Sequence, residues 1–183
     1  MSSLAKEVEV SNTALPEGTT ALALHEFRFD GSILQRGFWL YVWEITPPGR
    51  PVLYYVGRTG DSSSTNAQSP FNRMGQHLGF DVASNTLRRH LEGRGVAPEV
   101  CAFRLVALGP LEPESRAAGR AEHDERRDGL AAMEKALAGA LASSGCEVMN
   151  RVASRKALDD VRFAQVWAAI VKAFPQLSAP GGA

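Results

Sequence analysis

Side chains able to support hydrolytic chemistry gather between residues 39 and 77 of this chain. Tyrosines stand at positions 41, 54 and 55 within two apolar stretches, and Arg73 and His77 follow, four residues apart. Hydrolysis of a phosphodiester needs a water made nucleophilic, a cation on the phosphate and a stabilised leaving oxygen. Tyrosine, arginine and histidine can each supply one of these, so we take this cluster as the first candidate for a functional site.

The two apolar stretches are predicted to form a β-hairpin. Residues 39–43 and 53–58 are rich in β-branched and aromatic residues, and the Thr-Pro-Pro-Gly-Arg-Pro segment between them cannot continue a central strand. A hairpin brings Tyr41 close to Tyr54 or Tyr55. After it, Ser69 and a following proline predict a helix that begins near residue 70 and places Arg73 and His77 on one face.

The rest of the chain predicts a third strand and three more helices. Residues 99–108 form an apolar, β-branched run, 85–92 a second helix, 114–144 a long helix with Gly129 as a possible bend, and 157–174 a last amphipathic helix. We therefore expect an α/β (α+β) fold with a small three-stranded, mostly antiparallel sheet flanked by helices and extended by a C-terminal helix.

Glu134 is the most informative residue beyond the hairpin. Its neighbours Leu130, Met133 and Leu137 define an apolar helix face, and a carboxylate beside such a face is costly unless it is paired or bound to a metal. Pairing with Lys135, or a position on an exposed flank, are the alternatives.

The ordered set of motifs resembles the GIY-YIG nuclease family over residues 37–151. The matching segments are Trp39-Leu40-Tyr41, Tyr55-Val56-Gly57-Arg58-Thr59-Gly60, Arg73 with His77, Glu134, and Asn150. Trp39-Leu40 replace the usual Gly-Ile of the first motif, and the tyrosine is kept. The resemblance implies a domain over 37–152, with an extension over 1–36 and a helix and tail over 153–183 packed on the same domain.

The resemblance also implies a metal-dependent nuclease. Glu134 would hold a single Mg²⁺, with Mn²⁺ as a substitute, because water and phosphate oxygens can complete the octahedron of Mg²⁺. Tyr41 or Tyr55 would activate the attacking water, although a free phenol has a pKa of about 10 and a neighbouring cation must lower it. Arg73 would bind the scissile phosphate with its planar fork.

Supporting roles fall to other residues of the set. His77 would assist proton transfer or clamp a phosphate, and Asn150 would fix the geometry beneath the site through hydrogen bonds. Gly57, which lacks a Cβ, permits a close approach of backbone or substrate. Three arginines are candidate substrate-binding residues: Arg58, Arg88 and Arg89.

Composition limits the partners and the compartment. Twenty basic and twenty acidic side chains cancel, so a phosphate-binding surface must be local. Cys101 and Cys146 lack metal-site spacing, no export signal is visible, and apolar runs end before the roughly 20 residues that a bilayer requires. We expect a cytoplasmic protein with no membrane partner that acts on nucleic acid, with DNA favoured. Its specificity is expected to come from the inserted loop at 61–68, from the terminal helix, from a homodimer or from a partner protein.

Two other interpretations stay open from the sequence. The chain can be a non-catalytic nucleic-acid or protein interaction module that keeps the same fold. It can also be an ordinary structural domain, in which Tyr41, Arg73 and Glu134 would fail to converge on one cleft. The remaining histidines, at positions 25, 90 and 123, lack ligand spacing and are expected at surface or loop positions.

Overall fold

A computed structural model describes residues 24–61, 66–114 and 119–178, and these form an α/β fold built on a four-stranded mixed sheet. The strands lie in the order β3-β1-β2-β4. Their bounds are Gly37–Thr46 for β1, Leu53–Arg58 for β2, Ala102–Pro113 for β3 and Glu147–Val148 for β4.

Four α-helices accompany this sheet in the described part of the chain. They are α1 at Pro70–Leu78, α2 at Thr86–Glu92, α3 at Arg120–Ser143 and α4 at Asp160–Ala173. The Ser69 side chain accepts a hydrogen bond from the backbone N–H of Asn72 and so caps α1, as its sequence predicts. The Asp159 side chain caps α4 in the same way.

The predicted hairpin fixes the register that matters for the site. Strands β1 and β2 are antiparallel, with Tyr41 opposite Gly57 and Trp43 opposite Tyr55. Because side chains alternate between the faces of a strand, Tyr41 and Tyr55 point to the same face and Tyr54 points to the other. Of the two tyrosine pairings left open by the sequence, the register selects Tyr41 with Tyr55.

The sheet differs from the prediction in having four strands rather than three. The additional strand, β4, has only two residues and pairs parallel to β2, with Leu53 opposite Glu147 and Tyr54 opposite Val148. The backbone N–H of Met149 continues the pairing by donating to the carbonyl of Tyr54. The sheet is therefore mixed, and two residues were too short a run for any alternation to be visible in the sequence.

The two faces of the sheet support two separate hydrophobic clusters. One face packs on α3 and α4 through residues such as Leu40, Val56, Leu137 and Ile170. The other packs on α1, α2 and the turn after α2, and it includes Tyr41, Trp43, Tyr55, Leu87 and Leu91. The candidate tyrosines belong to this second cluster.

The other predicted elements are present, but their first and last residues differ from the prediction. Strand β3 continues through Gly109-Pro110 to Pro113, which an edge strand tolerates because it has no outer neighbour to hydrogen-bond. Gly129 lies within one continuous helix, α3. Predictions for 1–20, for part of the polar loop at 61–69, for the first residues of 114–144 and for most of 176–183 lie outside the described residues.

Candidate active site

Tyr41 is the most enclosed functional side chain of the cluster. It is 2% exposed, and its hydroxyl oxygen lies 2.6 Å from Nε2 of His77 and 3.2 Å from the carbonyl oxygen of Arg58. With the imidazole proton on Nε2, His77 donates to Tyr41 and Tyr41 donates to the Arg58 carbonyl. With the proton on Nδ1, Tyr41 donates to His77 instead.

Gly57 provides the space that the Tyr41 ring occupies. A Cβ at position 57 would lie 2.3 Å from Cε2 of Tyr41 and 2.6 Å from its hydroxyl oxygen. Real Cβ atoms do not approach that closely, so a larger residue would push the tyrosine aside. The predicted close approach at Gly57 is therefore made by Tyr41 itself.

Tyr55 lies beside the same histidine. Its ring centroid is 5.2 Å from that of His77 and 5.7 Å from that of His90 on α2. Tyr54, on the opposite face, instead contacts Phe174 and accepts a hydrogen bond from Gln176. Both motif tyrosines thus converge on His77, as the hairpin and the helix beginning at Pro70 predict.

Burial sets the protonation of these three groups. It raises the pKa of Tyr41 and of Tyr55 above the ordinary value, even though the positive charge of Arg73 opposes this for both. Burial also lowers the pKa of His77 to about 3, with a further lowering by Arg73. At neutral pH both phenols and the imidazole are neutral. The sequence led us to expect a neighbouring cation that lowers the pKa of a tyrosine, but the charge of Arg73 does not by itself produce a phenolate.

Arg73 is held at the rim of the cluster by polar partners. Its Nη2 lies 2.8 Å from Oδ2 of Asp61, and its Nη1 donates to Oε1 of Gln76 at 3.1 Å. The Arg73 side chain is only 18% exposed, and its buried Nε has no partner among the described residues. Asp61, which fixes the orientation of this guanidinium, was not singled out from the sequence, although it directly follows the second motif.

Glu134 is buried and paired, but not with Lys135. It is 7% exposed, and its Oε2 accepts a hydrogen bond from Nη1 of Arg58. Lys135 lies exposed and donates to the carbonyl of Ser154. Burial raises the pKa of Glu134 to about 6, against the lowering effect of Arg58. The prediction that this carboxylate needs a compensating charge is met by Arg58, which the sequence had assigned to substrate binding.

The carboxylate of Glu134 has one oxygen engaged by Arg58. Its pairing with Arg58 uses Oε2, and none of the bonds among the described residues uses Oε1. The described residues contain no group of three His, Cys, Asp or Glu side chains suited to a metal. Mg²⁺ accepts one protein carboxylate when water and phosphate complete its shell, so Glu134 is the residue that would hold it.

Asn150 fixes β2 between its two functional positions. Its Oδ1 accepts from the backbone N–H of Val56 at 3.0 Å, and its Nδ2 donates to the Val56 carbonyl at 2.7 Å. The amide side chain thereby continues the pairing of β4 where the backbone strand has ended. Val56 stands between Tyr55 and Gly57, so Asn150 holds the backbone of β2 next to both positions.

The other predicted arginines and histidines take different positions. Arg88 pairs with Glu99 at 2.7 Å and donates to the Leu78 carbonyl, so it ties α2 to the end of α1. Arg89 is exposed on α2. His90, expected at the surface, is half-buried against Tyr55. The surface prediction for His123 is wrong, because this side chain is 3% exposed and packs on Phe38.

The charges of the site interact across the two motifs. The positive charge of Arg73 lowers the pKa of both Tyr41 and Tyr55, and the negative charge of Glu134 raises both. The pKa of Glu134 is in turn lowered by Arg58 and Arg73 and raised by Asp61. Tyr41, Arg73 and Glu134, which the structural-domain interpretation expected to lie apart, are therefore close enough for the charges of Arg73 and Glu134 to shift the pKa of Tyr41. Asp61 and His90 extend the set beyond the residues predicted from the sequence.

Comparisons with known proteins place no constraint on this site, since no family model, no curated protein and no solved structure matches the chain. Within the described residues, every helix is too short or too polar to span a bilayer.

Proposed function

We propose that the protein is an Mg²⁺-dependent endonuclease of the GIY-YIG kind that hydrolyses phosphodiester bonds of nucleic acid, DNA in the first instance. The observation that carries the proposal is the convergence of the two tyrosines on His77, with the hydroxyl of Tyr41 2.6 Å from Nε2 of His77. An acidic residue and two arginines border this pair. Together they supply a proton path, positive charge for a phosphate and one metal ligand.

Tyr41 is the better candidate for the residue that takes the proton of the attacking water. In the tautomer with the imidazole proton on Nδ1, Tyr41 donates to Nε2 of His77, and its oxygen would accept the proton of a water that reaches it. As that oxygen accepts the proton of water, the tyrosine can pass its own proton to Nε2. No isolated phenolate then forms in a buried position, where it would be costly.

A bound phosphate would favour this transfer. Arg73 contributes to the low pKa of His77, and an anion on the guanidinium cancels part of that repulsion. Arg73 thus links phosphate binding to proton transfer. For Arg73 to contact a phosphate with its fork, the phosphate must replace Asp61, which now holds Nη2 at 2.8 Å.

Glu134 and Arg58 form a charged pair close enough to shift the pKa of Tyr55. A divalent ion on Glu134 would supply Lewis-acid stabilisation of the charge on the phosphate and on the leaving oxygen. Arg58 keeps the Glu134 carboxylate oriented and offsets the cost of its burial. The Arg58 guanidinium, 18% exposed beside the carboxylate, would add positive charge for a bound phosphate.

Cleavage of supercoiled plasmid, single-stranded DNA and structured RNA in Mg²⁺ or Mn²⁺ tests the proposal. We expect the natural protein to nick at least one substrate, and folded Glu134→Ala and Arg73→Lys variants to lose 100-fold or more of that rate. Glu92→Gln, which removes an exposed carboxylate on α2, is the matched control and should retain the rate. Equal cleavage by the Glu134→Ala variant would overturn the assigned role.

A second candidate is a nucleic-acid or protein interaction module without catalysis. It is favoured by the occupation of Oε2 of Glu134 by Arg58 and by the raised pKa of both tyrosines. This module would bind a polynucleotide with no cleavage in either metal, and Glu134→Ala would leave the affinity unchanged.

A further inference from the structure

Strand β3 lies at one end of the described sheet, and helix side chains cover only part of its outer edge. Towards the end of the strand, the guanidinium of Arg162 on α4 donates to the carbonyl of Leu111. Arg126 on α3 donates to the carbonyl of Pro113 at 3.0 Å. The first half of the strand has no such cover among the described residues, so its backbone groups need separate attention.

The hydrogen bonds of β2 show how the backbone groups of β1 are directed. The N–H and C=O of Val56 both bond to Asn150, on the side of β4. Because these groups alternate between the two sides of a strand, those of Tyr55 face β1. Tyr55 lies opposite Trp43, so Trp43 bonds to β2 and its neighbour Glu44 bonds to β3.

The same alternation shows which groups of β3 have no strand beside them. Glu44 lies opposite Arg104, so Arg104 directs its N–H and C=O toward β1, and the residues at odd positions around it direct theirs outward. These residues are Phe103, Leu105 and Ala107. Within the described part of the chain, no hydrogen bond reaches their backbone groups. We call residues 103–107 the β3 edge.

A groove of about 490 Å³ adjoins the β3 edge on the face covered by α1. All three outward-bonding residues of the edge line it, together with Phe27 and Phe29 among others. Phe27 is 64% exposed and Phe29 is 46% exposed. Large apolar side chains exposed beside a free strand edge mark a surface that another protein chain can cover.

Nothing along the β3 edge blocks the approach of another strand. Natural edge strands are commonly protected by charged side chains or by proline. Residues 102–108 contain one charged side chain, Arg104, and its guanidinium is turned to the end of α4, where it donates to the carbonyl of Ala173 at 2.8 Å. The first proline of the strand, Pro110, lies beyond this stretch.

We propose that the β3 edge pairs antiparallel with the same edge of a second copy of this chain. A two-fold axis perpendicular to the sheet at Leu105 sets Leu105 opposite its counterpart, and Phe103 opposite Ala107 of the second copy. The outward-bonding residues then form three pairs with about six backbone hydrogen bonds. Two four-stranded sheets become one continuous sheet.

The residues of the edge favour a second copy as its occupant. In this register a phenyl ring faces a methyl side chain and leucine faces leucine, so large groups do not collide. Arg104 faces Val106 of the second copy, so like charges do not meet. The formal charge of zero leaves no net repulsion between copies. A homodimer was left open from the sequence, and the β3 edge gives it a surface that does not depend on the proposed nuclease.

Sedimentation equilibrium of the full chain, from about 1 to 100 μM, tests the proposal. We expect the mass to rise with concentration from 19.7 kDa toward twice that value. Leu105→Lys places two like charges opposite each other on the axis and should raise the dimer dissociation constant at least 100-fold. The matched control is Val82→Lys, which replaces a 70% exposed valine between α1 and α2 and should dimerise like the natural protein. Circular dichroism checks that both variants are folded.

A disulfide measures the register without introducing a charge. In a Cys101→Ala/Cys146→Ala background, Leu105→Cys places two thiols across the axis with Cα atoms about 5.5 Å apart, within the range that a disulfide spans. Mild oxidation should convert most of this variant to a covalent dimer, while Val82→Cys in the same background should stay monomeric under denaturing conditions.

Three results would each overturn the proposal. The first is a natural protein that keeps the mass of one copy up to about 100 μM. The second is a Leu105→Lys variant that is folded and dimerises as tightly as Val82→Lys, because another surface would then join the copies. The third is a dimer in which Leu105→Cys forms no disulfide, since the two strands would not meet at that residue. The cleavage assay decides the nuclease separately in all three cases.

Discussion

At the scale of single residues, burial rather than neighbouring charge sets the protonation states of the site. Tyr41, His77 and Glu134 are all less than 10% exposed, and each is shifted toward its neutral form by loss of water. For Tyr41 and Glu134 nearby arginines offset this shift only in part, whereas for His77 the charge of Arg73 adds to it. Within the described residues, each of the two arginines is paired with a carboxylate, Arg58 with Glu134 and Arg73 with Asp61.

The neutral state of His77 predicts a specific pH dependence. An unfolded histidine titrates near pH 6.5, whereas burial lowers the pKa of folded His77 to about 3. Between these values the unfolded chain binds a proton that the folded protein does not, so stability falls as the pH falls. The free energy that His77 contributes to folding should therefore decline by about 1.4 kcal/mol per pH unit below 6.5.

Comparison with His77→Gln isolates this effect. Glu134 acts in the opposite sense, because its pKa is raised to about 6 and the folded protein takes up that proton first as the pH falls. The stability difference between the natural protein and the variant, measured by urea unfolding from pH 7.5 to 5, removes the Glu134 contribution. A difference that stays constant over this range would show that His77 is not held neutral.

The pair of Arg58 and Glu134 predicts an asymmetric pattern of stability. Arg58→Met leaves a buried carboxylate without its cation and should cost about 2 to 4 kcal/mol, somewhat below a fully enclosed pair because the Arg58 side chain is 18% exposed. Arg58→Met/Glu134→Leu removes both charges and should recover most of that loss. Urea unfolding measures both, and a double variant no more stable than Arg58→Met would contradict this account.

At the scale of elements, the hairpin register is what assembles the site. It places Gly57 opposite Tyr41 and Trp43 opposite Tyr55, which stacks both motif tyrosines on the face covered by α1. Helix α1 then needs only to begin at its Ser69 cap to present His77 to them. A shift of one residue would move every one of these side chains to the opposite face.

Gly57→Ala tests this dependence on register. The new Cβ would fall 2.3 Å from Cε2 of Tyr41, so we expect a loss of about 1 to 3 kcal/mol in stability and displacement of the tyrosine. Gly139→Ala is the matched control, because nothing lies within 4 Å of a Cβ at that position in α3 and alanine favours helix by about 1 kcal/mol. Thermal unfolding should show opposite signs for the two variants. Equal stability of Gly57→Ala and the natural protein would mean that Tyr41 does not lie over Gly57.

The sequence predicts those elements that have a recognisable residue pattern or a capping residue. The hairpin follows from β-branched and aromatic residues around a proline-rich turn, α1 from its serine cap and following proline, and α4 from its amphipathic pattern. These elements and α2 appear within a few residues of the expected limits. Strand β4 was missed because two residues carry no period, and the side chain of Asn150 does part of its pairing. The contact of His90 with Tyr55 was missed because it depends on how α2 packs, which local sequence does not encode.

The candidate site was predictable to a similar degree. The spacing of Arg73 and His77 on one helical face and the apolar neighbours of Glu134 indicated a buried polar cluster. The partner of Glu134 was not predictable, because Arg58 and Glu134 are 76 positions apart in the chain and only tertiary packing joins them. The same holds for Asp61, whose pairing with Arg73 depends on the course of the chain after β2.

At the scale of the whole molecule, the sheet separates two apolar clusters. One face packs on α3 and α4 and holds the larger apolar cluster, with Leu137, Val166, Ile170 and Phe174 at its centre. The other face holds the tyrosines and His77. Helix α4 begins at Asp160 and contributes buried core residues, so the segment after residue 152 is part of the packed fold.

This arrangement predicts that α4 unfolds together with the rest of the described fold. Ile170 is 1% exposed between α4 and the sheet, and Ile170→Ala should cost about 2 to 5 kcal/mol through lost burial and a residual cavity. Val161, on the same helix, is 76% exposed, and Val161→Ala should change stability by less than about 0.5 kcal/mol.

Urea unfolding followed by far-ultraviolet circular dichroism and by tryptophan fluorescence measures both variants and also the cooperativity. The tryptophans report on both parts of the molecule, since Trp39 and Trp43 lie in β1 and Trp167 lies in α4. One core shared by the sheet, α3 and α4 requires that the two signals give the same midpoint, as in a two-state transition. Two separated transitions in the natural protein, or an Ile170→Ala variant as stable as Val161→Ala, would show that α4 is an accessory helix and that the segment ending at residue 152 carries the fold by itself.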